Sequence, residues 1–265
     1  MDTIEIPPDH PRRVSLETRE QVIEGHQRHI VATAGLLAHG RGEAFDYLIG
    51  ERTHSYTKLA INAAAAAMLT ADHPVISVNG NVCALVPEDL VLLSEVTGAP
   101  LEVNLFYYRK EREDAILEAL KGAGAKRVLG THDRPSTTIP ELSSNRRRVD
   151  PDGIGSADVV LVPLEDGDRT EALRRIGKFV ITIDLNPMSR TAIFSNITIV
   201  DNIVRCMPLL VEAVREHKGR PIKELKAIVD RFDNRSNLKK SLETIRDHID
   251  EMASEAQDFK EETAQ

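Results

Sequence analysis

The chain has no tryptophan, two cysteines and few aromatic residues of any kind, 4% in all. Cys83 and Cys206 sit far apart inside apolar stretches, and neither a CxxC pair nor a zinc-ligand spacing exists. This excludes a disulfide framework and a zinc module, and both thiols read as core groups with nothing beside them to lower their pKa. No apolar run approaches the ~20 residues that span a bilayer. Residues 1–13 are polar, carry Pro7, Pro8 and Pro11, and lack the apolar centre of a signal peptide. The expectation is a soluble protein of the reducing cytoplasm with no membrane partner. Excess positive charge is missing as well. The formal net charge is -8, which argues against a general nucleic-acid binder. A small anionic ligand would have to be met by arginines gathered locally.

Familiar catalytic signatures are also absent. Without a GxxxxGK motif followed by Ser or Thr, a P-loop NTPase is out. Gly122-Ala-Gly124 follows a helical pattern and lacks a third glycine, so it is not a dinucleotide fingerprint. No GxSxG nucleophile elbow occurs. His26 and His29 lie one helical turn apart without a third ligand in view, and no metal-ligand set is assigned.

What remains is an ordinary globular composition, 41% hydrophobic and 29% charged over 265 residues, enough for one large α/β domain with a helical appendage. Short β-branched runs at 75–78, 101–106, 127–129, 158–162, 179–183 and 197–200 alternate with helical patterns such as 87–98, 111–120 and 168–176. Pro87 suits a first turn and Gly98 a helix end, and Asp168 with Glu171 resembles an N-cap. Residues 15–30 and 56–69 are helical upstream, the second with five consecutive alanines from Ala63 to Ala67. Continuously apolar strands are those of a sheet covered on both faces. The expected fold is α/β, a Rossmann-like, doubly wound, mostly parallel sheet over residues 1–218, with N-terminal helices and a helical extension over 219–265. Residues 131–152 read as a long polar loop, functional or mobile. In the extension Leu238, Leu242, Ile245, Ile249 and Met252 recur at steps of four and three, a stripe that suits packing on its own domain or against a second subunit.

In an open parallel sheet, ligands bind beyond the carboxyl ends of the strands. That rule selects Asn79 and Asn81, Asn104, the stretch DLNPMSRT (184–191) and Asp201-Asn202. In DLNPMSRT, Arg190 can grip a phosphate and Thr191 adds a hydroxyl near a helix start, although an Asn-Pro turn capping a short helix explains the same residues. Asn202 precedes a helix whose first N–H groups suit a phosphate or a ribose hydroxyl, or it is a plain cap. The stretch AHGRGEAFDY (38–47) is the densest in polar chemistry: two glycines flank Arg41, and His39, Glu43 and Asp46 add titratable groups. A structural turn before a helix would explain the glycines but not such dense polar chemistry, so it reads as a functional loop. Arg19 alone is a solvated helix-face charge, and Arg146-Arg-Arg148 is a solvated run or a mobile basic loop.

The stretches AHGRGEAFDY (38–47), PVISVNGNV (74–82), ADVVLVPLEDGDRTEA (157–172), IDLNPMSRTA (183–192) and TIVDNI (198–203) resemble those of archaeal phosphopantothenate synthetases. The resemblance runs from about Ile6 to about Val214. It implies a cytoplasmic homodimer that uses ATP and Mg²⁺ to join 4-phosphopantoate to β-alanine, releasing AMP and diphosphate, in coenzyme A biosynthesis. It also implies ATP contacts at Arg19, Arg41, Asp184, Leu185, Asn186, Arg190, Thr191, Asn202 and Ile203. AMP release points to an acyl-adenylate, for which Arg41 and Arg190 with Mg²⁺ are candidates to offset developing charge. His39 and Glu43 are candidate bases, and Asn79, Asn81 and Asn104 candidate contacts for phosphopantoate. The residues themselves leave two alternatives open: a kinase that releases ADP, and a non-catalytic nucleotide sensor.

Overall fold

Runs of valine, isoleucine and leucine become β1 (Pro74–Val78), β2 (Leu101–Val103), β3 (Val128–Leu129) and, beyond a small ribbon of β4 (Thr137–Thr138) and β5 (Arg148–Val149), β6 (Val159–Leu161), β7 (Phe179–Ile183) and β8 (Ile197–Ile199). In this computed structural model, which describes residues 6–10, 12–142 and 144–262 with side chains to 255, six of them form one sheet in the order β3-β2-β1-β6-β7-β8. Pro11, Ser143 of the 131–152 segment and the ends of both termini lie outside the described residues. All pairings in that sheet are parallel, with Ile76 between Leu101 and Leu161. Setting the ribbon aside, the order is 3-2-1-4-5-6, the doubly wound arrangement whose direction reverses between β1 and β6. The fold is Rossmann-like.

Both faces of the sheet are apolar because both are covered. Ile76, Val78, Leu161, Ile181 and Ile183 join one core cluster, while their neighbours Val75, Val160, Val162 and Val180 join a second on the opposite face. Strand alternation thus points apolar side chains both ways. The first face carries α3 (Ser55–Thr70), whose alanines 63–67 are all buried, and later helices described below.

The helices before the sheet are α1 (Arg13–Gln27) and α2 (Thr33–Leu48). Within the sheet region come α4 (Gly80–Leu85), α5 (Pro87–Thr97), α6 (Lys110–Gly122), α7 (Gly167–Arg175), α8 (Arg190–Phe194) and α9 (Ile203–His217). Pro87 occupies the first turn of α5, and Gly98 ends that helix at φ 78°. The cap of α7 is Asp166, which accepts from the Arg169 amide at 2.9 Å. Asp168 is not the cap: the chain turns two residues earlier, and Asp168 and Glu171 instead hold Arg190.

Two expectations change. Residues 38–47 are helical throughout, inside α2, with Gly40 and Gly42 in mid-helix. Each costs about 1 kcal/mol relative to alanine, but the helix packs on α1, α4 and the C-terminal helix, and packing overrides propensity. Residues 131–152 are not an unpaired loop either. Thr137 and Thr138 pair with Val149 and Arg148, and Ile139, Leu142 and Val149 are buried in the second core cluster. Glu102 anchors the end of the segment, accepting from the backbone of Asp150 at 3.0 Å and Ile154 at 2.6 Å. Burial pushes its carboxyl up to about 7 against those two bonds.

The extension comprises α10 (Ile222–Arg231) and α11 (Asn234–Glu262). The first lies on α3, and the second touches α3, α8, β8 and α2. Leu238 packs with Tyr56, Ala192 and Val200, and Ile245 with Ile49 and Leu185. Leu242, Ile249 and Met252 face outward and are exposed. Cys83 and Cys206 are buried, and burial pushes the Cys83 thiol up to about 12 and the Cys206 thiol upward too. Among the described residues no helix is long and apolar enough to cross a membrane.

Candidate active site

A cavity of about 720 Å³ opens at the carboxyl edge of the sheet, where β1 and β6 diverge. Its floor is made of the chain segments that leave five strands: Asn79 to Asn81 after β1, Leu105 to Tyr107 after β2, Leu164 to Asp166 after β6, Leu185 after β7, and Asn202 with Ile203 after β8. Helix α2 closes the other side. Gly35, Ala38, His39, Gly42, Glu43 and Asp46 line the cavity at steps of three and four, one face of the helix, with Arg41 beside them. Two glycines permit this closeness. A Cβ at Gly80 would lie 2.2 Å from the Ile30 carbonyl oxygen, and one at Gly35 would lie 2.3 Å from the Asn81 side-chain oxygen.

Glu43 is the most heavily bonded group on the α2 face. Its Oε1 accepts from the hydroxyls of Tyr47 at 2.6 Å and Ser15 at 2.7 Å and from Arg19 at 2.9 Å. Burial opposes the anion, but these donors win and hold the carboxyl down at about 2. One turn earlier, burial pushes the His39 imidazole below its ordinary value, partly countered by Glu43. The Nε2 atom of His39 is buried without a hydrogen-bond partner. Asp46 accepts from the Asn202 amide at 2.7 Å and from Arg205 at 3.0 Å, and Arg205 also bonds Asp201, tying α2 to the start of α9. Asn202 caps α9 through Val204.

Thus His39, Arg41, Glu43, Asn79, Asn81, Leu185, Asn202 and Ile203 come together around one space, with Arg19 attached through Glu43. Asp184, Asn186, Arg190 and Thr191 flank the β7 end without lining it. Asp184 accepts from the Asn186 amide at 2.9 Å and from the Ser189 hydroxyl, and burial pushes its carboxyl up. Thr191 is buried, its hydroxyl donating to the Glu165 carbonyl at 2.9 Å. The Arg190 guanidinium points outward between Asp168 at 2.5 Å and Glu171 at 2.6 Å.

The three asparagines already have backbone partners. Asn79 Nδ2 donates to the carbonyls of Pro163 and Leu164, Asn81 Nδ2 to that of Gly35, and Asn104 Nδ2 to that of Arg148. Asn104 lines a separate pocket of about 80 Å³. Beside that pocket, Glu113, Asp114 and His132 bring ligand-type atoms within 4.8 Å of one another.

Several cavity residues carried no signal in the sequence. Arg112 and Arg205 look like ordinary helix-face charges. Arg146, read as part of a solvated run, is 7% exposed, pairs with Glu165 and Asp166, and sits over the Phe106 ring at 5.7 Å. Only Glu165 and Asp166 were within reach of the strand-end rule, which applies to the run at 158–162 as much as to the others.

A family model described as phosphopantothenate/pantothenate synthetase matches residues 56–248, from the start of α3 well into α11. The chain belongs to that family. Among relatives of this phosphopantothenate/pantothenate synthetase family, a protein of Thermococcus kodakarensis named 4-phosphopantoate--beta-alanine ligase is 53% identical over 253 residues, covering 95% of this chain and 96% of the relative. One of Methanosarcina mazei with the same name is 49% identical over 251 residues, covering 95% and 98%. The family model takes in all six strands of the sheet, and the pairwise matches extend over α1 and α2, so the whole cavity wall lies within the shared region.

Proposed function

We propose that the chain is an ATP-dependent ligase that condenses 4-phosphopantoate with β-alanine to 4'-phosphopantothenate, releasing AMP and diphosphate, in coenzyme A biosynthesis. The reading is carried by a single cavity at the switch point of a Rossmann-like sheet, lined by arginines and a partly buried histidine, in a chain about half identical over nearly its whole length to proteins named for that ligation.

A carboxylate does not accept an amine at neutral pH because oxide is its leaving group, so it must first become a mixed anhydride. A carboxylate oxygen of phosphopantoate attacks the α-phosphorus of ATP in line, the bond to the β-phosphate oxygen breaks, and diphosphate departs. Two anions must meet, and fixed positive charge offsets their repulsion. Arg41 lines the cavity with no ion-pair partner among the described residues, and its charge is felt by Asp184 at the β7 end. Arg190 reaches the phosphates by leaving Asp168 and Glu171. Asp184, Leu185, Asn186, Thr191, Asn202 and Ile203 form the nucleotide wall, with Arg19 behind Glu43.

The neutral amine of β-alanine then attacks the acyl carbon. AMP leaves with the former carboxylate oxygen, and the amine sheds a proton. His39 is the group for that proton: burial favours its neutral imidazole, and its Nε2 has no hydrogen-bond partner. Glu43, held near 2 and bonded by Tyr47, Ser15, Arg19 and Arg12, orients Arg19 and steadies the charge beside His39. Mg²⁺ takes oxygen ligands and keeps several waters. The Asp166 side chain, 36% exposed at the cavity edge, suits its shell beside the triphosphate. Bound there, the ion would offset phosphate charge. The enzyme acts as a cytoplasmic homodimer, with exposed Leu242, Ile249 and Met252 of α11 available for the subunit contact.

Purified protein with ATP, Mg²⁺, 4-phosphopantoate and β-alanine should yield AMP and 4'-phosphopantothenate in equal amounts. ADP in place of AMP would make it a kinase, and nucleotide binding without turnover a sensor.

A further inference from the structure

The ligase reading leaves the phosphate of phosphopantoate without a receptor. The asparagines at the strand ends carry no charge to set against a phosphate, and their side-chain amides already donate to backbone carbonyls, Asn79 and Asn104 twice each and Asn81 once. The charged groups of the cavity narrow the choice. Arg205 is balanced by Asp46 and Asp201, and Arg146 is shared between Glu165 and Asp166. Among the described residues, two guanidiniums that line the cavity have no carboxylate partner, Arg41 and Arg112.

They sit at opposite ends. Arg41 belongs to the β7–β8 end with Leu185 and Asn202. Arg112, in the first turn of α6, belongs to the β1–β2 end, where its Nη1 donates to the Tyr107 carbonyl at 2.6 Å and its Nη2 to the Ile30 carbonyl at 2.9 Å. Those two carbonyls orient the guanidinium without neutralising it, and its Nε is buried with no partner. Burial disfavours the cation, and so does Arg109 nearby. Arg146 adds a second like charge at the same end, also with an unpartnered Nε. Arg146 is already paired with Glu165 and Asp166, whereas Arg112 is a desolvated, oriented guanidinium with no carboxylate partner, a state that an anion would complete. Three strand spacings separate β2 from β7, roughly 14 Å, so this end is distinct from the nucleotide wall.

We infer that Arg112, with Arg146 beside it, is the receptor for the phosphomonoester of 4-phosphopantoate, and that this contact sets the preference for phosphorylated over free pantoate. The inference rests on the ligase reading and extends it. The carboxylate lies at the far end of the substrate from the phosphate, so anchoring the phosphate here points the carboxylate along the cavity toward β7 and the nucleotide. Leu85 and Leu105, both buried and lining the same stretch, offer apolar contact to the two methyl groups between.

The test is equilibrium binding by calorimetry of 4-phosphopantoate and of unphosphorylated pantoate to wild type, Arg112→Gln and Arg112→Lys, with KM for ATP measured in parallel. Loss of charge-assisted bonds should weaken 4-phosphopantoate binding to the glutamine variant about 10- to 100-fold. Pantoate affinity and the KM for ATP should stay within about 3-fold, with the lysine variant intermediate. Equal losses for both ligands would show that Arg112 merely holds the Tyr107 and Ile30 carbonyls, and unchanged 4-phosphopantoate binding would remove it from the site; either overturns the inference while leaving the ligase reading intact. If the glutamine variant does not fold, the lysine variant is judged by the same two ratios. Wild type that binds no 4-phosphopantoate would instead overturn the ligase reading and this inference with it.

Discussion

Glu43 shows how one side chain can be read chemically and still be given two roles. Its folded pKa, near 2, lies below its ordinary value of 4.5, so the stabilisation it contributes is present above about pH 4.5 and is lost as pH falls toward 2. Discounted for solvent screening, that contribution is on the order of 1–2 kcal/mol. Glu43→Gln should lose it at pH 7 and flatten the decline in stability between pH 4.5 and 2, as urea denaturation across that range will show. The proton-accepting role falls to His39 on our reading, and His39→Ala should lower turnover about 10²-fold or more with little change in KM for ATP. Arg190→Ala should lose at least about 100-fold in turnover with an unchanged melting curve, because Asp168 is exposed and Glu171 keeps Arg175 as a partner. Near-normal turnover in that variant would remove Arg190 from the mechanism. At this scale the strand-end rule made Asn79, Asn81, Leu185 and Asn202 legible, since it needs only strand order along the chain. Arg112 and Arg205 stayed hidden because helical periodicity does not say which end of a helix overlooks a cavity.

Among the elements, α2 and the turn before it hold the cavity together. Gly80 sits under the Ile30 carbonyl, a backbone group that cannot swing aside as the neighbouring Arg112 side chain could. Gly80→Ala should therefore destabilise the fold by about 1–3 kcal/mol, measurable by chemical denaturation. The strands were legible because a sheet covered on both faces needs no alternation, and their continuous apolar runs show it. Residues 38–47 have the glycines of a loop and yet lie inside α2. Gly40 and Gly42 carry a local penalty that contacts with α1, α4 and α11 outweigh, and those contacts are long-range. The β4–β5 ribbon was equally hidden, because Thr137-Thr138 and Arg148-Val149 are too short and polar to signal a strand, and the buried carboxylate that anchors the segment, Glu102, is far away in the chain.

For the whole molecule, the class of fold followed from the alternation of strands and helices, while the strand order did not, since sequence does not reveal which side of β1 each later strand will join. The helical extension shares its stripe between two surfaces. Leu238 and Ile245 pack inward, and Leu242, Ile249 and Met252 remain outside. A protein with both Leu242→Asp and Ile249→Asp should sediment as a monomer where the parent sediments as a dimer; a monomeric parent would contradict the subunit contact. The reaction itself is tested by following oxygen. With 4-phosphopantoate carrying ¹⁸O in both carboxylate positions, attack on the α-phosphorus requires one labelled oxygen to end in the phosphate of AMP and the other to stay in the amide of 4'-phosphopantothenate. Label in inorganic phosphate, with AMP unlabelled, would contradict the adenylate route.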